Sequence, residues 1–176
     1  MKLFTAAMLV LYSSSVFADC PDILNYETRK LRSQETINFC EAFENKVVLM
    51  VNTASRCGYT PQFSELEALF TRYKDQGLAI VGFPSNDFRQ EYSSEDKVAD
   101  VCYVNYGVSF PMVATSPVRG NAANAMFQRL EAATGKAPGW NFNKYLVSSD
   151  GKKVVHFPAS AKPLGAEIEA AIKELL

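Results

Sequence analysis

Two short runs of apolar residues constrain the fold more than any other feature of this sequence. The first covers residues 47–52 (VVLMVN) and the second residues 78–83 (LAIVGF). Continuous runs of this length, rich in β-branched residues, are typical of strands buried on both faces of a sheet. Between them, apolar residues recur at helical spacing from Phe63 to Tyr73, and Gly77 ends that helix. This order predicts a β-α-β unit with parallel strands.

The rest of the chain continues the alternation of helices and strands. The predicted elements, in chain order, are a helix over 98–106, the start of a strand at 110–113, a helix over 122–134, a hairpin with strands 145–147 and 153–157, and a closing helix over 164–176. The hairpin turn is Ser149-Asp150-Gly151, a strong turn signal. A chain of 176 residues suits one well-packed domain. We therefore expect an α/β fold with a central mixed sheet flanked by helices.

The first 18 residues predict a secretory signal peptide. Lys2 gives a positive start, residues 3–11 are mostly apolar, and Val16-Phe17-Ala18 fits the cleavage-site pattern. A short membrane anchor is the alternative, but roughly ten apolar residues cannot span about 30 Å of hydrocarbon. We expect cleavage before Asp19, export to the periplasm or the medium, and one domain over 19–176 without stable membrane insertion. A formal net charge of −1 gives no indication of a nucleic-acid surface.

Export changes the interpretation of the four cysteines. In an oxidising compartment, an even number of cysteines favours disulfides. Cys20 and Cys40 lie near the predicted mature N-terminus and outside the predicted core, so we expect them to form a structural disulfide. Cys57 and Cys102 then remain for chemistry.

Cys57 lies in a small, polar loop between a buried strand and the start of a helix, where Thr60 and Pro61 predict the N-cap and first turn. Free N–H groups and the helix dipole favour an anion at such a position, and the thiolate is the nucleophilic form of cysteine. Gly58 lets another molecule approach the backbone. These features favour a reactive cysteine over an inert buried one.

The residues around Cys57 exclude several other thiol chemistries. Thr60 stands where a C-x-x-C reductase has its second cysteine, and Pro61 stands where a C-x3-C metal carrier has its own. The only histidine, His156, lies in a hairpin strand, and we interpret it as structural rather than as a base for a cysteine nucleophile.

Three segments of this sequence resemble the motifs of the glutathione peroxidase family. VNTASRCGYTPQF resembles the motif around the family's active-site selenocysteine or cysteine and puts Cys57 at that position. GLAIVGFPSNDF resembles the second motif and WNFNKYLV the third, and VSFPM followed by VRG lies between them. The resemblance extends from about Lys46 to the C-terminus. It implies a thioredoxin-like fold, which the pattern of elements allows.

The resemblance also implies an activity and a catalytic group. The family's Cys, Gln, Trp and Asn correspond to Cys57, Gln90, Trp140 and Asn141. Amide and indole N–H groups are neutral donors, which suits the cleavage of an O–O bond by a thiolate. Because neighbouring residues of a strand face opposite ways, Trp140 and Asn141 require irregular backbone, which Gly139 favours. We expect a peroxidase that reduces hydrogen peroxide and organic hydroperoxides through a cysteine sulfenic acid, without a metal or other cofactor.

Departures from the family pattern bear on the reductant and on assembly. The usual F-G-x-Q-E-P is replaced by Phe88-Arg89-Gln90-Glu91-Tyr92, one residue shorter, so this loop must take another path. The glutathione-binding basic residues of animal members have no clear counterparts, and their assembly insertion is missing between Leu130 and Trp140. We expect a monomer recycled by a thioredoxin-type dithiol protein. The alternatives are glutathione as the direct reductant, or a non-catalytic thioredoxin-like binding or metal-carrier module.

Cys102 has two interpretations. Two-cysteine members of the family have a resolving cysteine on the helix after the second motif, and Cys102 lies in that region, one position earlier than plant members would place it. One position is about 100° around a helix, so the thiol could face away from Cys57. Cys102 also lies on an apolar stripe with Val98 and Val101, as a core cysteine would. We favour the resolving role, which would require a helix of modest propensity to unwind partly.

Overall fold

The computed structural model describes residues 20–176, so the predicted signal peptide and its cleavage site lie outside the described part of the chain. The strands and helices, in chain order, are β1 (Glu27–Arg29), β2 (Thr36–Asn38), α1 (Phe39–Ala42), β3 (Val47–Thr53), α2 (Gln62–Tyr73), β4 (Leu78–Pro84), α3 (Glu95–Ala99), α4 (Ala125–Thr134), β5 (Lys144–Val147), β6 (Val154–Phe157) and α5 (Ala166–Leu175).

The two apolar runs become the neighbouring strands β3 and β4 of a four-stranded sheet with the order β4-β3-β5-β6. β3 and β4 are parallel, from the pair Val47–Leu78 to the pair Thr53–Pro84. β5 is antiparallel to β3, and β6 is antiparallel to β5. The mixed sheet flanked by helices is thereby confirmed, as are the β-α-β unit and the hairpin.

Both faces of the sheet are buried, which explains why the strand sequences are continuously apolar. Leu49 and Val51 of β3 belong to the core on one face, together with residues of α2 and α5. Val48 and Met50 belong to the core on the other face, together with residues of α1 and α4. Cys57 and Cys102 are both part of the first core cluster.

Two predicted elements differ from the structure. Residues 110–113 form only isolated bridges, Gly82 with Met112 and Lys30 with Val113, because Pro111 has no N–H to donate to a ladder. The segment lies tightly on β4, since a Cβ added to Gly82 would come within 2.2 Å of Met112 Sδ. The helix expected over 98–106 is divided into α3 and a π-helical segment, Asp100–Asn105.

The N-terminal part of the described chain packs beside the sheet. Cys20 and Cys40 form a disulfide, with their Cα atoms 5.4 Å apart. The strands β1 and β2 form a separate two-stranded sheet. Within residues 20–176, none of the helices is long and apolar enough to cross a bilayer.

Candidate functional site

Thr60 holds the loop that carries Cys57. The Cys57 N–H donates to Thr60 Oγ1 at 3.0 Å, and the same hydroxyl lies 2.9 Å from the Ala54 carbonyl and 2.8 Å from the Cys57 carbonyl. Because this side chain closes the loop, it does not cap the helix. α2 accordingly begins at Gln62, and Pro61 is its N-cap residue rather than its first residue.

Cys57 itself is a free thiol with 5% of its surface exposed. Its Sγ accepts a hydrogen bond from the Tyr59 N–H at 3.4 Å. The next residue, Gly58, is exposed, and an added Cβ would meet nothing within 4 Å. The sulfur therefore has a backbone donor directed at it and an open approach beside it.

The shortened loop still brings Gln90 beside the Cys57 loop. Arg89 takes a left-handed conformation, with φ of 58°, and so turns the chain within fewer residues. The Arg56 N–H donates to the Gln90 carbonyl at 2.9 Å, and Asn141 Nδ2 donates to Gln90 Oε1 at 2.9 Å. Gln90 thus connects the residue preceding Cys57 with the third motif.

The buried carboxylate of Glu91 fastens the same two loops together. It accepts the Ser55 N–H at 3.1 Å and the Tyr92 N–H at 2.8 Å, while the Arg56 guanidinium donates to the Glu91 carbonyl at 3.1 Å. Burial raises the pKa of Glu91, and its hydrogen bonds oppose that rise. The sequence analysis did not assign a role to this residue.

Trp140 and Asn141 lie on irregular backbone before β5, where Phe142 has a φ of 64°. The Trp140 carbonyl accepts from the side-chain amides of Asn52 at 3.0 Å and Asn143 at 2.7 Å. Asn141 is fully buried, and its Oδ1 has no hydrogen-bond partner within residues 20–176. The two adjacent side chains have opposite exposures, because Trp140 is 42% exposed.

The Trp140 ring lies at the edge of an open depression near the Cys57 loop. Its centroid is 5.3 Å from that of Phe88, which anchors it on one side. Trp140 and Tyr59 line the depression together with residues 158–160. The structure therefore places Cys57, Gln90, Trp140 and Asn141 in one region, joined by the hydrogen bonds of the Arg56–Gln90–Asn141 chain.

Lys144 is a buried cation near this region that sequence reasoning missed. Its side chain is fully buried, and its Nζ lies 2.5 Å from Gln62 Oε1, 2.6 Å from the Ala161 carbonyl and 3.2 Å from the Ala159 carbonyl. Burial lowers the pKa of Lys144 to about 7, and Glu65 opposes that shift. A lysine within an otherwise buried strand segment, WNFNKYLV, was the available signal.

The Cys102 thiol faces the core, with 1% of its surface exposed. Burial raises its pKa to about 12, and the charge of Glu91 adds to the rise. Cys102 lies in the π-helical segment, where the Tyr106 N–H bonds to the Val101 carbonyl five residues back. The offset of one position in the sequence therefore does not turn this thiol outward, since Cys102 and Cys57 belong to the same core cluster.

His156 lies apart from the Cys57 thiol. Its Nε2 is 2.8 Å from Asn143 Oδ1, and its ring stacks on Tyr145 with centroids 4.9 Å apart. Burial lowers the pKa of His156. These contacts fit the structural interpretation of this residue.

A free cysteine at the end of a central β-strand, on an α/β sheet with flanking helices, defines the class of thiol oxidoreductases with a thioredoxin-like fold. A thioredoxin family thiol:disulfide interchange protein from Chlorobium tepidum TLS has the same fold, with a TM-score of 0.65 at 10% identity over 90% of this chain and 97% of that one. The crystal structure of Trgpx in its apo form matches with a TM-score of 0.68 and 26% identity, over 87% and 94% of the two chains.

The family model described as glutathione peroxidase matches residues 23–131. The glutathione peroxidase-like peroxiredoxin 2 of Saccharomyces cerevisiae is 39% identical over 153 residues, which cover 84% of this chain and 93% of the relative. The chain belongs to the glutathione peroxidase family. Its activity is that of a thiol-dependent peroxidase, an oxidoreductase that acts on peroxides.

Proposed function

We propose that Cys57 is the peroxidatic residue. Its thiolate attacks one oxygen of a hydroperoxide, the O–O bond breaks, and the second oxygen leaves as water or alcohol after taking a proton. Cys57 is oxidised to a sulfenic acid. The Tyr59 N–H that donates to Sγ supports this role, because a donor at the sulfur stabilises its negative charge.

Gln90, Trp140 and Asn141 supply neutral donors to the peroxide and to the departing oxygen. The Gln90 amide uses its Oε1 to accept from Asn141, and its Nε2 is the donor that we assign to the peroxide. The exposed Trp140 ring provides an indole N–H at the open edge of the site. Because these donors are fixed before reaction, they stabilise developing charge without reorganisation.

Cys102 resolves the sulfenic acid in this proposal. Its thiol attacks Cys57 Sγ, a disulfide forms, and the sulfenic oxygen leaves as water. The raised pKa of Cys102 keeps this thiol protonated and unreactive while it is buried. The segment Asp100–Asn105 must therefore open to bring the two sulfur atoms together, and its π-helical hydrogen bonding is consistent with a helix that opens readily.

A thioredoxin-type dithiol protein then reduces the Cys57–Cys102 disulfide and restores both thiols. The relative named peroxiredoxin supports this choice, and the absence of counterparts to the glutathione-binding basic residues of animal members agrees with it. Glutathione acting directly on the Cys57 sulfenic acid is the second candidate, and the family name favours it.

We further propose that the enzyme works as an exported monomer in the periplasm or the medium. The disulfide between Cys20 and Cys40 supports an oxidising compartment, where such bonds persist. The intact mass of protein recovered from that compartment should correspond to a chain that begins at Asp19. A protein that retains Met1 would contradict the export, and sedimentation at the mass of a dimer would contradict the monomer.

The observation that carries the proposal is the hydrogen-bonded chain from Arg56 to Gln90 to Asn141, which brings two distant motifs beside the Cys57 loop. Cys57→Ser should abolish peroxide consumption while the fold is retained. Its matched control is Cys102→Ser, which should still consume one equivalent of peroxide but fail to turn over with thioredoxin. Full activity of Cys57→Ser would refute the assignment.

The products identify the mechanism. One equivalent of hydrogen peroxide should give a peptide that links Cys57 to Cys102, and reduced thioredoxin should remove this link. Normal turnover of Cys102→Ser with thioredoxin would contradict the resolving role. Turnover of that variant with glutathione alone would support the one-cysteine mechanism.

A further inference from the structure

The helix that precedes Cys102 is held by the N-terminal hairpin. Arg29, at the end of β1, forms a two-pronged ion pair with Glu95 of α3, with Nη1 2.9 Å from Oε2 and Nη2 2.5 Å from Oε1. The Arg32 N–H donates to the same carboxylate at 3.2 Å. Three donors from the hairpin therefore converge on one side chain at the first turn of α3.

A second ion pair holds the start of the π-helical segment. Arg32 Nη1 lies 3.2 Å from Oδ1 of Asp100, the first residue of Asp100–Asn105. The hairpin thus contacts both ends of α3, and Cys102 follows two residues after the second contact. We call these two ion pairs, Arg29–Glu95 and Arg32–Asp100, the hairpin latch.

The hairpin is fixed more firmly than the helix it holds. The Leu31 N–H donates to the Met112 carbonyl at 2.9 Å, and the Ala114 N–H donates to the Arg29 carbonyl at 2.8 Å. Leu31 is buried in the same core cluster as Cys57 and Cys102. The disulfide between Cys20 and Cys40 adds a covalent constraint on the chain that flanks the hairpin.

α3, by contrast, has little stability of its own. It spans five residues, its N-cap Ser94 makes no side-chain capping bond, and it passes directly into π-helical geometry. Isolated helices of this length do not persist in water, so tertiary contacts must hold it. Contacts at its first turn and at its end therefore decide how often the Cys102 segment opens.

We propose that Arg29 is a positioning residue for the resolving step, which acts through Glu95 to set how often the Cys102 segment opens. This inference rests on the proposed resolving role of Cys102. The opening decides between two fates of the Cys57 sulfenic acid. Attack by the Cys102 thiol gives the disulfide and water, whereas a second hydroperoxide oxidises the sulfenic acid to sulfinic acid and is itself reduced to water or alcohol.

The charges of the pair support this role. Hydrogen bonds from Arg29 lower the pKa of Glu95, so the carboxylate is ionised in the folded protein. Both side chains are partly exposed, so salt weakens their attraction. The latch therefore makes the opening of the Cys102 segment sensitive to ionic strength.

The accessibility of Cys102 tests the latch directly. In a reduced protein carrying Cys57→Ser, N-ethylmaleimide should modify Cys102 roughly three- to tenfold faster after Arg29→Gln, as expected for the loss of a two-pronged surface ion pair. The matched control is Arg72→Gln, which removes the ion pair between Arg72 and Glu169 on α2 and α5. It should leave the modification rate unchanged.

A double-mutant cycle separates a specific pair from a general loss of stability. Glu95→Gln should raise the modification rate as much as Arg29→Gln does, and the double variant should show little further increase. Unchanged modification in Arg29→Gln, or fully additive effects in the double variant, would overturn the latch.

The fate of Cys57 tests its role in catalysis. With wild-type cysteines and excess hydrogen peroxide, Arg29→Gln should form less Cys57 sulfinic acid per turnover, while the rate of the first peroxide reaction stays the same. If Cys102 modification accelerates but the sulfinic fraction does not fall, the role in resolution is refuted. A failure of the resolving assignment itself would show separately, as normal thioredoxin-dependent turnover of Cys102→Ser.

Discussion

Lys144 gives the most demanding physical prediction of this structure, since a fully buried ammonium lies among three carbonyl-type oxygens. Two effects oppose each other there. Removal from water penalises the charged form, while the three acceptors and Glu65 favour it. Lys144→Met keeps the length and apolar character of the side chain but cannot carry the charge. The pH dependence of its stability therefore isolates the ionisation of Lys144.

The magnitude follows from the change in pKa. Burial lowers the pKa of Lys144 from 10.5 to about 7 in the folded protein. The unfolded chain then binds the proton more tightly, so stability falls with decreasing pH below 10.5, and the penalty is complete below about 7. From about pH 7 to about pH 9, the wild type should gain about 2 kcal/mol of unfolding free energy relative to Lys144→Met.

Urea unfolding of both proteins at several pH values measures this difference, because all other titrating groups cancel between them. Lys153→Met is the control, since it removes an exposed lysine that pairs with Glu174 at the surface. The control should change by less than about 1 kcal/mol and show no such slope. A constant difference between wild type and Lys144→Met from about pH 7 to about pH 9 would refute the argument, and would mean that the three acceptors keep the pKa near its ordinary value.

Two further predictions concern the disulfide and the proposed donors. Cys20→Ser combined with Cys40→Ser should lower the unfolding free energy by roughly 3 kcal/mol, as the chain-entropy account of a loop of this length gives, and equal urea midpoints would contradict it. Gln90→Ala and Asn141→Ala should each slow sulfenic acid formation by roughly ten- to a thousandfold in stopped-flow measurements, and a normal rate would move the donor role to another residue.

Much of the fold was predictable because burial on both faces leaves a direct mark on the strand sequences. The runs that became β3 and β4 are apolar at nearly every position, and the helix between them has the spacing of a buried stripe. Residues 110–113 carry a similar composition but pair only at isolated bridges. Composition alone does not distinguish a strand from an extended segment that lies along a sheet edge.

The candidate site was predictable only in part, for a different reason. The resemblance supplied Cys57, Gln90, Trp140 and Asn141, but the hydrogen bonds that join them depend on the path of a shortened loop. That path requires a left-handed Arg89, which no local propensity predicts. The π-helical turn at Cys102 and the burial of Lys144 depend on tertiary packing, so neither has a periodic signal in the sequence.

The exposure of Trp140 has a spectroscopic consequence. Trp140 is the only tryptophan of the chain, so the indole emission of the protein comes from one ring. That ring is 42% exposed and lies against Phe88 at the edge of the proposed site. A change in the charge or position of groups near Cys57 should therefore alter this emission. The protein contains its own optical reporter, which can follow oxidation, resolution and reduction in real time without an added label.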